Sequence, residues 1–258
     1  MLDLVFPTIF ETPLQLLTAA AVLFLAQVVY VVFGFGSGLI AVGTLALLFS
    51  DMQDVVVLLL LVNLPAEAAI VARSWREITW HRAGLLLAGT AVGIPLGTYV
   101  LQAGSPTMVL TSLGGFLVVV GVAFLLLPEG TRIRWPAWTA PPLGLISGVL
   151  AGLFGTGGPP LIVYYHLTGL SKRAFRGTLM ALFLAMTFLR VPSYVIGGLV
   201  TPARLWSGLM LLPVAAAGGW MGHRIHLQVS EGTFRRLVSV LLATIGLLLI
   251  VRQLSALP

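Results

Sequence analysis

The stretch Gly148-Val149-Leu150-Ala151-Gly152-Leu153-Phe154-Gly155-Thr156-Gly157-Gly158-Pro159-Pro160 decides how this chain is read. It starts as an apolar helix and cannot stay one. Gly-Thr-Gly-Gly-Pro-Pro joins residues of high backbone freedom to two that lack an N–H and clash with the preceding turn. A short apolar run, Leu161–Leu170, follows. A second interruption of the same kind, Gly34-Phe35-Gly36-Ser37-Gly38, lies between the apolar runs Leu16–Phe33 and Leu39–Phe49. Non-helical backbone at bilayer depth is tolerated only where it is buried in protein or lines a watery cavity.

Composition supplies the membrane. Of 258 residues, 59% are hydrophobic and 9% charged, with a mean hydropathy of +1.06. Soluble domains carry about 25% charged residues, so 14 basic and 8 acidic side chains cannot cover a water-soluble surface of this size. Soluble enzymes, nucleic-acid-binding modules and disordered chains are excluded. A transmembrane β-barrel needs alternating segments of about ten residues rather than long apolar runs. Cysteine is absent, which removes disulfides and thiolate chemistry. The net charge of +6 sits in short loops, where it directs topology and does not imply nucleic acid. Residues Met1–Thr12 hold no Lys or Arg, so no signal peptide is expected to be cleaved.

The two interruptions belong to an internal duplication. Phe33-Gly34-Phe35-Gly36 recurs as Phe154-Gly155-Thr156-Gly157, and Gly93, Gly97 and Gly121 correspond to Gly218, Gly222 and Gly246. The Pro-rich linker Pro128–Pro142 separates the copies, giving an N-terminal unit over 1–133 and a C-terminal unit over 134–258. Broken single spans would make eight crossings and spread the basic residues evenly over both faces. Re-entrant hairpins would make three full crossings per repeat and invert the second repeat. Arg73, Arg76, Arg82, Arg132, Arg134, Lys172, Arg173, Arg176, Arg224, Arg235 and Arg236 then share one face. Only Arg204 and Arg252 remain on the other, beside Asp3, Glu11, Asp51 and Asp54. Because loop Lys and Arg favour the cytoplasm, the hairpin arrangement is the expected one. The fold class is thus an all-α polytopic membrane protein of two inverted repeats, with six full spans and two hairpins. It is expected in the cell inner membrane with both termini outside the cytoplasm. Trp75, Trp80, Trp135 and Trp138 fall near the predicted cytoplasmic face, as interfacial anchors do. In the second hairpin, Leu143–Phe154 and Leu161–Leu170 are too short to cross alone.

Inverted repeats with discontinuous helices place a substrate near the midplane, between half-helix ends. The second half-helices should begin near Ser37–Gly38 and Gly158–Pro159, with Pro favoured in a first turn. N–H groups of Gly36, Ser37, Gly157 and Gly158, backed by positive dipole ends, then form an anion cradle. Ser37 and Thr156 add hydroxyls. Gly93, Gly97, Gly121, Gly218, Gly222 and Gly246 read as packing residues instead. Arg190 lies inside a span; it either caps a helix end or serves as a fixed positive charge for an anion. Glu67, one turn after Asn63, either carries a proton or pairs with Arg73 or Arg190. Tyr164 and His166 follow the second interruption and are further candidates for coupling or gating. No cluster has metal-ligand spacing, no cofactor motif is present, and no Asp at membrane depth completes a protease triad.

Around Gly34–Gly38 and Gly148–Pro160 the chain resembles the sulfite exporter TauE/SafE family of membrane transporters. The likeness covers nearly the whole chain, including its duplication, and rests on Gly36, Ser37, Gly155, Thr156, Gly157, Gly158 and Pro159. It implies transport of small inorganic or organic sulfur anions such as sulfite, thiosulfate or organosulfonates. The substrate-binding candidates are accordingly Gly36, Ser37, Gly38, Gly155, Thr156, Gly157, Gly158, Pro159 and Arg190, with protons as a candidate coupling ion. A passive anion channel and a proton-coupled carrier of another small organic anion are the alternatives.

Overall fold

The computed structural model describes residues 7–33, 36–126, 136–168, 171–224 and 231–255, except the side chains of Arg82, His166, Leu167, Lys172, Glu231 and Phe234. These residues form ten α-helices and no strand: α1 (Pro13–Phe33), α2 (Ser37–Leu48), α3 (Met52–Ser74), α4 (Trp80–Ala103), α5 (Pro106–Leu126), α6 (Ala140–Phe154), α7 (Gly158–Thr168), α8 (Lys172–Ile196), α9 (Pro202–Arg224) and α10 (Glu231–Ser255). Eight of them are long and apolar enough to cross a membrane, α6 together with the 3-10 turn before it. The remaining two, α2 with 12 residues and α7 with 11, are not.

One arm is longer than its apolar run predicts. The helix ending at Phe154 begins at Ala140, inside the Pro-rich linker, and with the turn Ala137–Thr139 it reaches 18 residues. Pro141 and Pro142 fall in its first turn, where a missing N–H costs nothing, so prolines that read as a boundary in the sequence start a helix instead.

Direct contacts fix which ends lie together. Gln15 Nε2, early in α1, donates to Leu48 O at the end of α2 (3.3 Å), and the Phe10 and Phe49 rings meet edge to face at 6.1 Å. The chain therefore returns to the end from which α1 set out. At that same end Arg204, starting α9, pairs with Asp51 (3.0 Å) and Asp54 (2.7 Å) at the start of α3. A fold in which both interruptions were simple breaks in single spans would put those acids and this arginine on opposite faces.

Glycines bring helix backbones into contact. A Cβ on Gly93 would stand 2.3 Å from Leu145 O and one on Gly97 2.1 Å from Val149 O, so α4 and α6 run side by side in the same sense. Gly218 and Gly222 play the same part between α9 and α1, against Phe24 O (2.4 Å) and Val28 O (2.8 Å). Gly121 against Ser239 O (2.6 Å) and Gly246 against Gly114 O (2.5 Å) join α5 to α10 in opposite senses. Without a hydrophobic drive between helices in lipid, such close approach is what holds them. The N-terminal and C-terminal halves thereby interleave, α1 on α9 and α6 on α4. The expected division at 133/134 lies outside the described residues. Large apolar side chains such as Leu14, Leu126, Trp138 and Ile196 face outward, as a lipid-solvated surface requires.

Candidate functional site

Both interruptions converge on one point. Gly36 (φ 89°) precedes α2, and Gly155 (φ 71°) ends α6. Each holds a left-handed backbone that side chains other than glycine rarely adopt. The two turns touch, since a Cβ on Gly38 would lie 3.2 Å from Thr156 Oγ1. Phe154, at the tip of α6, stacks on Phe116 in the middle of α5 (5.3 Å, 19°).

A cavity of about 40 Å³ lies between the turns, enough for a few waters or a small ion, as one water needs about 10–15 Å³. Gly36, Ser37, Gly38, Gly155, Thr156, Gly157 and Gly158 line it together with Tyr30, Asn63, Glu67 and Arg190, and Phe183, Met186 and Ile162 complete its wall. Ten sequence-derived candidates thus share one chamber. Pro159 and Tyr164 do not; they line a separate apolar groove with Phe116 and Leu143. The side chain of His166 lies outside the described residues.

The polar wall is a connected network. Tyr30 Oη donates to Glu67 Oε1 (3.2 Å), and Thr187 Oγ1 donates to Glu67 Oε2 (2.9 Å). Arg190 Nη2 donates to Thr187 Oγ1 (2.9 Å), and Nη1 donates to Gly155 O (2.8 Å) at the end of α6. Asn63 Oδ1 accepts from Gln27 Nε2 at 2.7 Å. Among the residues lining the cavity, two buried donors stay without any protein partner: the Ser37 hydroxyl and Arg190 Nε. Arg190 therefore takes the first of the two roles that its sequence position allowed. It caps a helix end and keeps one N–H free. Arg73 is exposed, so the alternative pairing of Glu67 with it is not formed.

The two half-helices differ as donors. The first three N–H groups of α2, at Ser37, Gly38 and Leu39, precede its first intrahelical bond, from Ile40 to Gly36. In α7 the corresponding positions include Pro159 and Pro160, which have no N–H to give. First-turn positions that carry an N–H are therefore more numerous in α2 than in α7.

With this geometry in place, the comparisons with known proteins are specific. The model of the sulfite exporter TauE/SafE family matches residues 19–249. The chain belongs to that family. It is 26% identical over 250 residues to the probable sulfite/organosulfonate exporter TauE of Cupriavidus necator, spanning 95% of this chain and 98% of that one. It is 25% identical over 191 residues to the probable inner membrane transporter protein TsaS of Comamonas testosteroni, spanning 74% and 80%. No solved structure matches it. As a TauE/SafE member with eight helices fit to span, it is a multi-pass membrane protein of a transporter family.

In this TauE/SafE chain several residues of the cavity and of the network behind it escaped sequence reasoning. Tyr30 and Gln27 are the polar residues of α1 beyond Thr18, and Thr187 precedes Arg190 by one turn. That spacing is the signal that could have found it. Tyr30 and Gln27 are not ordinarily charged, so a search for ionisable residues in spans passes over them.

Proposed function

We propose that this chain carries small sulfur oxyanions such as sulfite, thiosulfate or organosulfonates across the inner membrane, binding one anion at mid-depth between the two turns. The observation that carries this reading is the pair of buried, unpartnered donors, Ser37 Oγ and Arg190 Nε, beside one cavity. Buried polar groups are almost always satisfied, so two orphans at one chamber call for a polar occupant. A guanidinium only donates and a hydroxyl can donate, which selects oxygen acceptors and negative charge. The N-terminus of α2 adds its own positive potential. The names of the two relatives supply the sulfur. The opposed senses of α5 and α10 support reading the halves as inverted repeats, each a hairpin and three spans. The crowding of arginines at one face supports both termini lying outside. Nothing in this reading requires covalent chemistry.

Thermal-shift titration of the purified protein with sulfite, thiosulfate, taurine and sulfoacetate, against carboxylates of similar size, is the direct experiment. Saturable stabilisation by the sulfur anions is expected, since a ligand that binds only the folded state raises stability with its concentration. Absence of stabilisation by every sulfur anion overturns the proposal. Saturable flux in proteoliposomes separates a carrier from a passive channel.

A further inference from the structure

Resting on the anion site proposed above, the geometry points to Glu67 as the proton site of this carrier, linked to the anion through Thr187 and Arg190. Among the described residues, the charges lining the cavity are Glu67 and Arg190. No direct ion pair joins them; Thr187 stands between, donating to one and accepting from the other. An entering anion must share the single guanidinium with a carboxylate already in the same buried space. Two negative charges against one positive leave an uncompensated buried charge, which is the costly state. Adding one proton to the Glu67 carboxylate removes it, giving a neutral acid, a bound anion and a guanidinium.

The partners of Glu67 allow this exchange. Both are hydroxyls, Tyr30 on α1 and Thr187 on α8, and a hydroxyl can donate to a carboxylate or accept from a carboxylic acid. A guanidinium cannot reverse in that way. Asp51 and Asp54 are instead held directly by Arg204, whose guanidinium can only donate, and fit a structural clasp. Titratable or charged groups facing Glu67 are few. They are Tyr30 from α1 and Arg190 from α8; α2 has none, and α9 has none between Arg204 and His223.

Linkage between two sites is reciprocal, so proton binding must strengthen anion binding by the factor with which the anion strengthens proton binding. The experiment uses methanesulfonate, a monoanion whose own charge does not change near neutral pH, with affinities measured from about pH 5 to about pH 8. Wild-type affinity is expected to rise by up to about tenfold per unit fall in pH, the limit for one proton per anion. Glu67→Gln, a neutral mimic of the protonated acid, is expected to bind the anion with a flat pH profile. Proton uptake on mixing anion with wild-type protein in weak buffer gives a second readout that needs no variant; about one proton per anion is expected. Anion binding without proton uptake overturns the coupling and leaves the anion site standing. An equally steep pH profile in Glu67→Gln assigns the proton to another group and overturns the assignment. If the wild type binds no sulfur anion at any pH, the anion site falls and this inference with it.

Discussion

The two interruptions read as copies in sequence and are unequal in structure. In the first, α2 opens on Ser37, whose hydroxyl has no protein partner, and its length packs against α1, α3, α5 and α10. In the second, α7 opens on two prolines and borders an apolar groove facing α5. The descending arms are alike in one respect: each has its C-terminal carbonyls met by an arginine of α8. Arg176 donates to Val31 O near the end of α1, and Arg190 to Gly155 O at the end of α6. Helix C-termini carry partial negative charge, and a cation there offsets it. On the function proposed above, the two copies divide the tasks. The first would supply donors to the anion, whereas the second, through Gly155 O, holds Arg190 in place.

The largest effect should come from Arg190→Ala. It removes the one cation at the cavity and uncaps Gly155 O, so sulfur-anion affinity should fall roughly 10- to 150-fold, as for loss of a charged hydrogen bond of about 1.5–3 kcal/mol. Calorimetric or thermal-shift titration checks it, and unchanged affinity would move the positive pole of the site elsewhere.

The scaffold role of the second hairpin can be broken by adding a single methyl. A Cβ on Gly157 would meet Ser147 O at 2.3 Å and Met186 Cε at 2.6 Å, whereas one on Gly38 meets only Thr156 Oγ1, at 3.2 Å. Gly157→Ala should therefore destabilise by about 1–3 kcal/mol and Gly38→Ala by less, measured as melting temperature in detergent. The reverse order would contradict the assignment of rigidity to the second turn.

Ser37→Ala sharpens the donor side. Its hydroxyl has no protein partner, so stability should hold while anion affinity falls about fivefold, near 1 kcal/mol for one neutral hydrogen bond. Thr156→Val probes the other turn in the same assay. A loss confined to Thr156→Val, with Ser37→Ala silent, would exchange the roles of the two hairpins.

Tyr194→Phe should give the smallest change. The hydroxyl donates to Ala151 O (3.2 Å) and Gly152 O (3.1 Å) in the last turn of α6. Its removal should lower stability by about 0.5–1.5 kcal/mol and, although the hydroxyl lies beside Arg190, cost less anion affinity than Ser37→Ala. An affinity loss comparable to that of Ser37→Ala would show that the α6 tip is less rigid than its caps imply.

Much of this arrangement was legible beforehand in local terms. Glycine and proline clusters break helices wherever they occur, so the starts of α2 and α7 at Ser37 and Gly158 match the expected positions. The packing glycines were equally readable, because recurring small residues in apolar sequence imply close backbones. Errors arose where meaning depended on a neighbour. Pro141 and Pro142 read as linker until the turn before them fixed a helix start. Pro159 and Tyr164 sit next to the cavity in sequence, yet the rotation of α7 about its axis directs them to another groove.

The sequence by itself determined the solvent and the breaking points of the helices, because hydropathy and backbone freedom act over a few neighbouring residues. Only the tertiary structure decided that Glu67 and Arg190 meet through Thr187, that Tyr30 joins them from 37 residues away, and that Ser37 is left without a partner. Those facts depend on which faces of separate helices meet, and packing between distant segments sets that.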